Sequence, residues 1–391
     1  TMDVLQLFWV IIYGYLFFWC AYLFVFAIGG VFYSKPKRSH ISSQSNFAIL
    51  VPAYKEDAII LSTVEENLKI NFQASRFKIF VIADSLQQKT LELLKKMPIE
   101  LIQVSFINST KAKAINAALP IVQQEEFSHV VVLDADNVMA PDFLDCVDHS
   151  IIKDNGNTAI QAHRLAKNTN STIALLDAIN EEIGNNIFRK GHVSLGFSSA
   201  LIGSGMIFST ALYERLMASI SYVAIEDKML EFTLLKENIK VSYLDSAFVY
   251  DEKVVRQEQF TGQRSRWISN RLYFLKSEAY TSFLKLARLD FVYFDIWLHA
   301  LIPQKIMLIN YVLLFSLASF IFSNNILPVL LLLIILLVTF GISIPKRYYN
   351  LRLFNALLGI PFLAYRMMGI LLKISKVDPS KFNVTVKEVK S

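Results

Sequence analysis

Two aspartates separated by one residue carry the most chemistry in this sequence. Asp134 and Asp136 follow the apolar run 130–133, whose length and β-branched residues predict a buried strand. Carboxylates placed this way hold a hard cation such as Mg²⁺ or Mn²⁺, which takes one or two carboxylates and completes its shell with substrate phosphate oxygens. The simpler interpretation is a pair of solvated turn carboxylates, because aspartate is common in turns.

The chain around these aspartates alternates short apolar runs with helical patterns. The predicted strands are 47–51, 79–83, 101–106 and 130–133, and the predicted helices are 56–73, 87–97 and 111–123. Such alternation predicts an α/β fold with a mostly parallel sheet and helices on both faces. Ligands of these sheets bind beyond the carboxyl ends of the strands. Tyr54, Glu56 and Asp84 are therefore expected beside Asp134 and Asp136.

Two more short segments have residue types suited to catalysis. Glu226 and Asp227 stand near the start of a helical pattern. An aspartate there is either a general base that removes a hydroxyl proton or a capping residue that favours the helix dipole. Gly203-Ser204-Gly205 is either a simple turn or a place where a ligand passes close to the backbone.

Basic and aromatic residues supply the complementary chemistry. Lys111 begins the segment Lys-Ala-Lys-Ala-Ile-Asn, which also reads as an ordinary first helix turn. In Gln263-Arg264-Ser265-Arg266-Trp267, Arg266 suits a charge-assisted pair with a diphosphate, and Gln263 adds hydrogen bonds. Trp267 offers a flat face to a sugar ring, with an interfacial tryptophan near a membrane as the alternative.

The composition indicates a membrane protein. Of the 391 residues 54% are apolar and the mean hydropathy is +0.41, which is too apolar for an ordinary soluble protein. The segment 5–32 is long enough to cross a bilayer. A secretory signal peptide is the alternative, but no basic residues precede the segment. Lys35, Lys37 and Arg38 follow it, so the positive-inside rule places the next residues in the cytoplasm.

Four apolar segments follow the middle of the chain. Spans are predicted at 303–322 and 326–344, and Lys346 and Arg347 return the chain to the cytoplasm. The segments 287–301 and 353–373 carry charged groups, which are costly at mid-bilayer. Both are predicted to be interfacial helices that keep these groups wet, with a fourth span at 353–373 as the rival interpretation.

Charge and cysteine content argue against a nucleic-acid-binding protein and against a disulfide-rich protein. The net charge is +6 and the pI is near 9.0, but no basic cluster is interleaved with stacking aromatics, so nucleic acid is not the predicted partner. Anionic lipid headgroups and a nucleotide diphosphate account for the charge. Cys20 and Cys146 are too few and too far apart for a disulfide framework, and both are predicted to be buried, reduced thiols.

Taken in order, these motifs resemble the processive branch of glycosyltransferase family 2, the membrane-embedded synthases of cellulose, chitin, hyaluronan and poly-N-acetylglucosamine. The resemblance covers about 45–390. It implies a GT-A fold, a Rossmann-like cytoplasmic domain that uses Mg²⁺ or Mn²⁺ and a nucleotide sugar. It is specific for fold and reaction class and weaker for product.

The resemblance assigns roles to the donor-side residues. Pro52, Ala53, Tyr54 and Glu56 would surround the nucleoside. Asp84 would bond the uracil ring, although Ala83 stands where many members have a second aspartate. Lys111 would lie near the nucleotide, and Asp134 with Asp136 would bind the metal and the sugar diphosphate.

It also assigns roles on the acceptor side. Asp227 would be the catalytic base beside Glu226, with Ile225 replacing the threonine of the family's Thr-Glu-Asp. Gly203, Ser204 and Gly205 would let the acceptor pass. Gln263 and Arg266 would bind the diphosphate, and Trp267 would support the acceptor end of the polymer.

A segment near the end extends the likeness to cellulose synthases. Residues 382–387 fit Phe-x-Val-Thr-x-Lys, the gating-loop motif that covers the loaded pocket, which implies donor contacts for Thr385 and Lys387. The chain departs from cellulose synthases in ending just past this motif and in having one amino-terminal span. The predicted divisions are an anchor (1–38), a cytoplasmic GT-A domain (39–286), interfacial and transmembrane helices (287–374) and a cytoplasmic gating tail (375–391).

The predicted function is inverting, metal-dependent transfer of hexose, with a UDP-sugar as donor, to a β-linked polysaccharide that is exported through the inner membrane. Three spans are few for a sugar channel, so a homo-oligomer or an export partner is expected to complete it. The alternatives are a non-processive transferase acting on a lipid carrier, and a transporter or scaffold that retains a degenerate transferase domain.

Overall fold

The computed structural model describes residues 4–35, 44–151, 156–220, 225–253, 257–322 and 326–359, with side chains from residue 6 and, in the helix that begins at 257, from residue 267. Gln263 and Arg266 therefore contribute only their helical backbone. Thr385 and Lys387, the whole predicted tail and most of 353–373 lie outside the described residues.

One sheet of eight strands occupies the middle of the described chain. The strands are β1 Phe47–Tyr54, β2 Phe77–Asp84, β3 Glu100–Val104, β4 His129–Val132, β5 Val138–Met139, β6 Ala159–Ala166, β7 Met206–Ser209 and β8 Ser242–Asp251. Their spatial order is β3-β2-β1-β4-β7-β6-β8-β5.

Helices cover the sheet and extend beyond it. They are α1 Val4–Val31, α2 Ile60–Asn67, α3 Gln88–Leu94, α4 Lys111–Gln124, α5 Phe143–Ser150, α6 Thr172–Gly184, α7 His192–Ser194, α8 Thr210–Ala218, α9 Glu226–Lys236, α10 Gln257–Ser277, α11 Ala279–Ala287, α12 Phe291–Leu298, α13 Lys305–Phe322, α14 Leu327–Ser343 and α15 Leu351–Leu358. A π-helical stretch, Asn185–Gly191, joins α6 to α7, and short 3₁₀ turns lie at Ala74–Arg76 and Lys346–Tyr348.

The sheet is mixed, so the prediction of a mostly parallel sheet is wrong for its second half. The four strands predicted from sequence, β1 to β4, pair in parallel. Beyond them β7 runs antiparallel to both β4 and β6, and β5 runs antiparallel to β8, while β6 and β8 are parallel. Apolar runs indicate burial but not strand direction, so the sequence pattern does not reveal the reversal at β7.

Both faces of the sheet are buried, which explains why its strands read as continuous apolar runs. In β1 the side chains of Phe47, Ile49 and Val51 pack on one face with residues of α2 and α5. Those of Ala48 and Leu50 pack on the other face with α4 and α8. This alternation leaves the carboxyl ends of the strands free for polar groups.

The apolar helices form a separate cluster with α6. Residues of α1, α13, α14 and α15 pack there with Leu175, Ile179 and Ile183. Among the described helices, α1 over Gln6–Val31 and α13 are long and apolar enough to cross a membrane by length and composition, whereas α14 has 17 residues. The three helices coincide with the predicted segments 5–32, 303–322 and 326–344. Cys20 and Cys146 are buried and free, as predicted.

Two polar groups of segment 287–301, Asp295 and His299, face protein partners and not water, contrary to the expectation for an interfacial helix, whereas Arg288 is exposed. Asp290 caps α12 by accepting a hydrogen bond from the backbone of Tyr293. Asp295 is 5% exposed, and both it and His299 contact His192 of α7. The sequence pattern cannot distinguish a polar group that faces water from one that faces a buried partner.

Helix α1 docks on the π-helical stretch through very close backbone contact. A Cβ added at Gly191 would overlap the carbonyl of Phe26, and Gly30 lies similarly close to Asn186. Asn186 Nδ2 donates to the carbonyl of Ala27 at 3.1 Å and to Ser343 Oγ at 3.0 Å. Helix α1 is therefore packed closely against the π-helical stretch.

Replacing Gly191 tests this docking. Gly191→Ala is expected to lower the free energy of unfolding by about 2 kcal/mol or more, because the new methyl group forces two helix backbones apart. Gly14→Ala, on α1 with open space around it, serves as the control. Thermal unfolding in detergent measures both, and equal midpoints for the two variants would contradict the close contact.

Candidate active site

A cavity of about 610 Å³ opens at the carboxyl ends of β1, β2 and β4. It brings together most of the residues singled out from sequence: Pro52, Ala53, Tyr54, Glu56, Asp84, Lys111, Asp134, Asp136, Gly203, Glu226, Asp227 and Trp267. Ser204 and Gly205 are not among the lining residues, although Ser204 accepts a hydrogen bond from the backbone of Asp134. This position is where an open α/β sheet binds its ligands.

The ends of β1 and β2 are held at the same level. Their parallel register pairs Tyr54 with Asp84, and the backbone N–H of Lys55 donates to the Asp84 carbonyl at 3.1 Å. Lys55 and Ser85 have φ values of 55° and 57°, a conformation that non-glycine residues adopt rarely and often at functional sites. Ser85 Oγ also donates to Asp84 Oδ1 at 2.9 Å. The Asp84 carboxylate is thus fixed at the cavity wall.

Both aspartates of the Asp-x-Asp segment reach the cavity. Asn137, which is completely buried, donates to Asp136 Oδ1 at 2.9 Å. The backbone N–H of Asp134 donates to Ser204 Oγ at 3.0 Å, which ties this segment to the glycine turn. Two carboxylates on one wall are oxygen donors of the kind that Mg²⁺ and Mn²⁺ prefer. The residues present therefore fit the implied metal.

Lys111 occupies the centre of the acidic groups. Its Nζ donates to Asp134 Oδ1 at 2.6 Å and to the carbonyl of Gly203, and it lies 3.4 Å from Glu226 Oε1. Burial alone lowers the pKa of this ammonium, but the charges of Asp134 and Glu226 outweigh burial and raise it. Thr110 caps α4 by accepting from the backbone of Lys113, which positions Lys111 at the helix start.

The predicted catalytic pair begins α9. The carboxylate of Glu226 is buried, and burial raises its pKa to about 7 although Lys111 opposes the shift. Asp227 Oδ1 accepts from the backbone N–H of Lys228 at 2.8 Å. The surroundings of the two acids therefore differ. Glu226 is buried beside Lys111, whereas the carboxylate of Asp227 lies next to the backbone of Gly203.

The raised pKa of Glu226 predicts a pH-dependent stability. The protonated side chain contributes to the free energy of unfolding. This contribution is fully present below about pH 4.5 and is lost as the pH rises through about 7. Glu226→Gln removes the burial penalty of the charge, so in metal-free protein it should be more stable than the parent by about 1–3 kcal/mol at pH 8 and by little at pH 5.

Thermal unfolding at the two pH values measures this difference. Glu92→Gln, an exposed position on α3, is the control and should change neither midpoint. The same advantage for Glu226→Gln at both pH values would contradict the buried, charge-penalised carboxylate.

The glycine turn is shaped by its backbone. Gly203 and Gly205 have φ values of 80° and 65°, which glycine adopts without the steric cost of a Cβ. Gln161, fully buried, donates to the carbonyl of Ser204 at 2.9 Å and accepts from the backbone of Ile202 at 3.1 Å. A Cβ added at Gly203 would lie 3.8 Å from Asp227 Oδ2. The turn thus presents bare backbone next to the predicted base.

One face of α10 lines the far wall. Trp267, Asn270, Arg271 and Phe274 all border the cavity, and their spacing places them on one side of a helix. Arg271 donates to the carbonyl of His299 at 2.8 Å and to that of Ile302, and burial lowers its pKa to about 10. Of the Gln-x-x-Arg-Trp segment, Trp267 lines the site and is half-buried, while the side chains of the four preceding residues lie outside the described part of the structure.

Sequence reasoning missed a buried network of charges on the same cavity. Arg164 Nη2 donates to Glu181 Oε2 at 2.7 Å, and Arg189 lies 3.3 Å from the other oxygen of that carboxylate. Lys253 pairs with Asp251 at 2.7 Å and with Glu181 at 3.4 Å. The members of this network come from β6, α6, the π-helical stretch and the end of β8, so they meet only through the packing of these elements and not through a local sequence pattern.

Comparison with protein families identifies this arrangement. The family described as "Glycosyltransferase like family 2" matches residues 44–270. The chain belongs to glycosyltransferase family 2. The matched range contains the strand-end acids, the glycine turn, Glu226, Asp227 and Trp267. A search of curated protein sequences found no significant match.

A solved mannosyltransferase structure shares the GT-A-like fold of this family 2 chain, and two further glycosyltransferase structures are similar at lower TM-scores. The mannosyltransferase PcManGT from Pyrobaculum calidifontis, in complex with GDP-Man and Mn²⁺, is 14% identical with a TM-score of 0.51, over 91% of this chain and 97% of that one. TarS from S. aureus, residues 1–349 with UDP-GlcNAc, is 18% identical over 78% and 82% of the two chains, with a TM-score of 0.40. Glucosyl-3-phosphoglycerate synthase from Mycobacterium tuberculosis, with Mn²⁺, UDP and phosphoglyceric acid, is 13% identical over 55% and 73%, with a TM-score of 0.36.

Proposed function

We propose that this family 2 glycosyltransferase transfers a hexose, with inversion, from a nucleotide sugar to the end of a growing β-linked polysaccharide. The donor is expected to be a UDP-sugar and the cation Mg²⁺ or Mn²⁺. The observation that carries the proposal is a single cavity that joins the acids at the strand ends to Trp267 and to the apolar helices. The residues proposed to bind the donor and the residue proposed to support the acceptor thus line the same cavity.

The donor end of the cavity supports a nucleotide diphosphate. Tyr54, Glu56 and Asp84 are proposed to bind the nucleoside. When bound, the cation would be held by Asp134 and Asp136 and would neutralise the leaving diphosphate. Lys111, already within 2.6 Å of Asp134, adds positive charge at the same place. PcManGT is described with GDP-Man and Mn²⁺, which agrees with a metal-dependent nucleotide-sugar donor for this chain.

The acceptor end supports the transfer step. Asp227 accepts the proton of the acceptor hydroxyl while the hydroxyl oxygen attacks the anomeric carbon. The bond from that carbon to the diphosphate oxygen breaks, and the diphosphate leaves with the electron pair. The bare backbone at Gly203 admits the acceptor beside Asp227, and Trp267 provides a flat face for its terminal sugar. Glu226 is proposed to hold Lys111 in place beside Asp227.

The apolar helices support a location at the inner membrane with the sheet domain in the cytoplasm. Lys35 follows α1, and Lys346 and Arg347 follow α14, which favours the cytoplasmic side for both ends. Large apolar side chains such as Leu317, Phe320 and Leu337 are exposed on α13 and α14, as expected for helices that face lipid. We also propose that the polysaccharide is exported through the membrane. A second copy of this chain or a partner chain would complete the channel.

The tail beyond the described residues belongs to the same proposal. Thr385 and Lys387 would close over the loaded donor from the cytoplasmic side, together with Gln263 and Arg266 on α10. Their basic and hydroxyl groups suit a diphosphate.

One observation favours a second candidate, transfer of a single sugar to a lipid carrier. Near α6 and the start of α13 the cavity lining includes four apolar side chains, Ile173, Leu176, Ile302 and Ile306, beside polar ones such as Asn180 and Lys305. The apolar part of this wall suits an acyl or prenyl chain better than a polar glucan.

Product length distinguishes the two candidates. The purified protein in membrane lipids is supplied with radiolabelled nucleotide sugar and Mn²⁺, and the products are partitioned between organic and aqueous phases and separated by size. Polymers of increasing length in the aqueous phase are the expected result. One added sugar in the organic phase would replace the polysaccharide proposal with the lipid one, and absence of any transfer would contradict both.

A further inference from the structure

Three metal-ligating side chains converge away from the Asp-x-Asp segment. His192 of α7, Asp295 of α12 and His299 just after α12 place their ligand atoms close together at the junction of the anchor helix and the sheet domain. We propose that these three residues bind a divalent transition-metal ion of the Zn²⁺ class, at a site separate from the cation site of the transferase reaction. The proposal does not depend on the polysaccharide function.

The distances match a shared ion. His192 Nε2 and His299 Nε2 are 3.1 Å apart, and they lie 3.2 Å and 3.4 Å from Asp295 Oδ2. Ligands bound to Zn²⁺ at 2.0–2.1 Å in a tetrahedral arrangement are separated by about 3.3–3.4 Å. The three atoms therefore form a triangle of nearly the size that one ion requires.

Hydrogen bonding among these groups leaves one oxygen unexplained. Asp295 Oδ2 is buried and has no hydrogen-bond donor among the described residues, although two imidazole nitrogens lie beside it. The single hydroxyl proton of Tyr22 goes to the other oxygen, Asp295 Oδ1, at 2.7 Å. A buried carboxylate oxygen without a donor is costly, and a cation between it and the two nitrogens removes that cost.

The tautomer of His192 also suits its proposed role as a metal ligand. Its Nδ1 lies 2.7 Å from the carbonyl of Ile187, which can only accept a hydrogen bond, so Nδ1 carries the proton. The lone pair of a neutral His192 is then on Nε2 and points toward Asp295 and His299. Metal-binding histidines commonly donate their second N–H to a backbone carbonyl in this way.

The surroundings favour a borderline metal over Mg²⁺ or Mn²⁺. Two imidazoles and one carboxylate are a donor set typical of Zn²⁺ or Fe²⁺, whereas Mg²⁺ prefers oxygen ligands throughout. The ring of Phe26 stacks on His192 with 3.7 Å between centroids, and Phe188 lies edge-on to His299 at 5.1 Å. This apolar shell restricts water, while the cavity that His299 lines gives an ion a route in.

Another buried histidine shows what a purely structural cluster looks like in this protein. His163 Nδ1 lies 2.8 Å from Asp245, and its Nε2 lies 3.3 Å from Glu182. Each ring nitrogen faces a different acid, so the acids do not converge on one point. The His192 cluster differs because its three ligand atoms face one another. An ion there would join α12 to α7, and the Tyr22 hydroxyl extends the connection to α1.

Metal content and Co²⁺ spectroscopy test the proposal. The full-length protein in detergent is purified without added metal and measured by mass spectrometry of the elements. The expected result is about one transition-metal ion per chain in the parent, in Asp136→Asn and in His149→Ala, and at least a fivefold loss in His299→Ala and Asp295→Asn. His149 lies elsewhere, on α5, beside Asp145, and is the matched control.

A second measurement uses only the parent protein, so it does not depend on a variant folding. The chelator-stripped protein is titrated with Co²⁺, and one saturable set of absorption bands between about 500 and 650 nm is expected, displaced by Zn²⁺ but not by Mg²⁺. Absence of such bands, or Zn²⁺ binding that is unchanged in His299→Ala, would overturn the proposal.

Discussion

Asp227→Asn is expected to reduce turnover of the nucleotide sugar by about 10²-fold or more while leaving donor affinity nearly unchanged, which is the scale of a lost general base. The reason is geometric. Asp227 begins α9 at the cavity wall beside the bare backbone of Gly203, while the two acids proposed to hold the cation follow β4. Asparagine keeps the shape of the side chain and removes only its ability to accept a proton.

The measurement is single-turnover transfer together with equilibrium binding of the donor in the presence of Mn²⁺. Asp142→Asn, an exposed position outside the cavity, controls for expression and handling and should behave like the parent. A variant at Asp227 that keeps full turnover would remove it from the catalytic role.

Asp136→Asn is expected to act on a different step, by weakening metal-dependent donor binding by about tenfold or more. The carboxylate of Asp136 lies on the cavity wall and accepts a hydrogen bond from Asn137 at 2.9 Å. Losing one of two anionic ligands lowers the affinity of the site for a hard cation. Binding of the nucleotide without metal should change little, because the residues proposed to contact the nucleoside end β1 and β2 and remain intact in this variant.

Titration of donor with and without Mn²⁺ measures this effect, and removing the metal with a chelator should reduce the parent to the level of Asp136→Asn. Equal loss of donor affinity in Asp136→Asn and Asp227→Asn would contradict the proposed division between cation binding and proton transfer.

The half of the sheet that precedes Asp134 could be predicted from sequence because each of its strands is a short run of apolar residues. Runs 47–51 and 79–83 lie within the observed strands β1 and β2, and runs 101–106 and 130–133 overlap β3 and β4 with ends that differ by one or two residues. The polar residues that follow them do line one cavity. Parallel strands share an edge, so their carboxyl ends necessarily bring these groups together.

The second half could not be predicted in the same way. Strand β6 contains Gln161 and His163, which are buried, and Arg164, which is partly buried, and all three bond to partners distant in sequence. Because these polar residues interrupt the apolar run, the strand is not predicted by a method that looks for continuous apolar residues. The same physical reason explains Asp295 and His299, whose charges suggest a wet surface although their partners lie in α1 and α7.

Metal-dependent transfer at this cavity is tested most directly by incubating the purified protein in membrane lipids with a panel of UDP- and GDP-sugars. Mn²⁺, Mg²⁺ or a chelator is added, and released nucleotide is measured. We expect that a nucleotide sugar is consumed, that a UDP-sugar is preferred, and that consumption needs a divalent cation and is lost in both Asp136→Asn and Asp227→Asn. Consumption that continues without divalent cation, or that is unchanged in Asp227→Asn, would contradict metal-dependent transfer at this cavity.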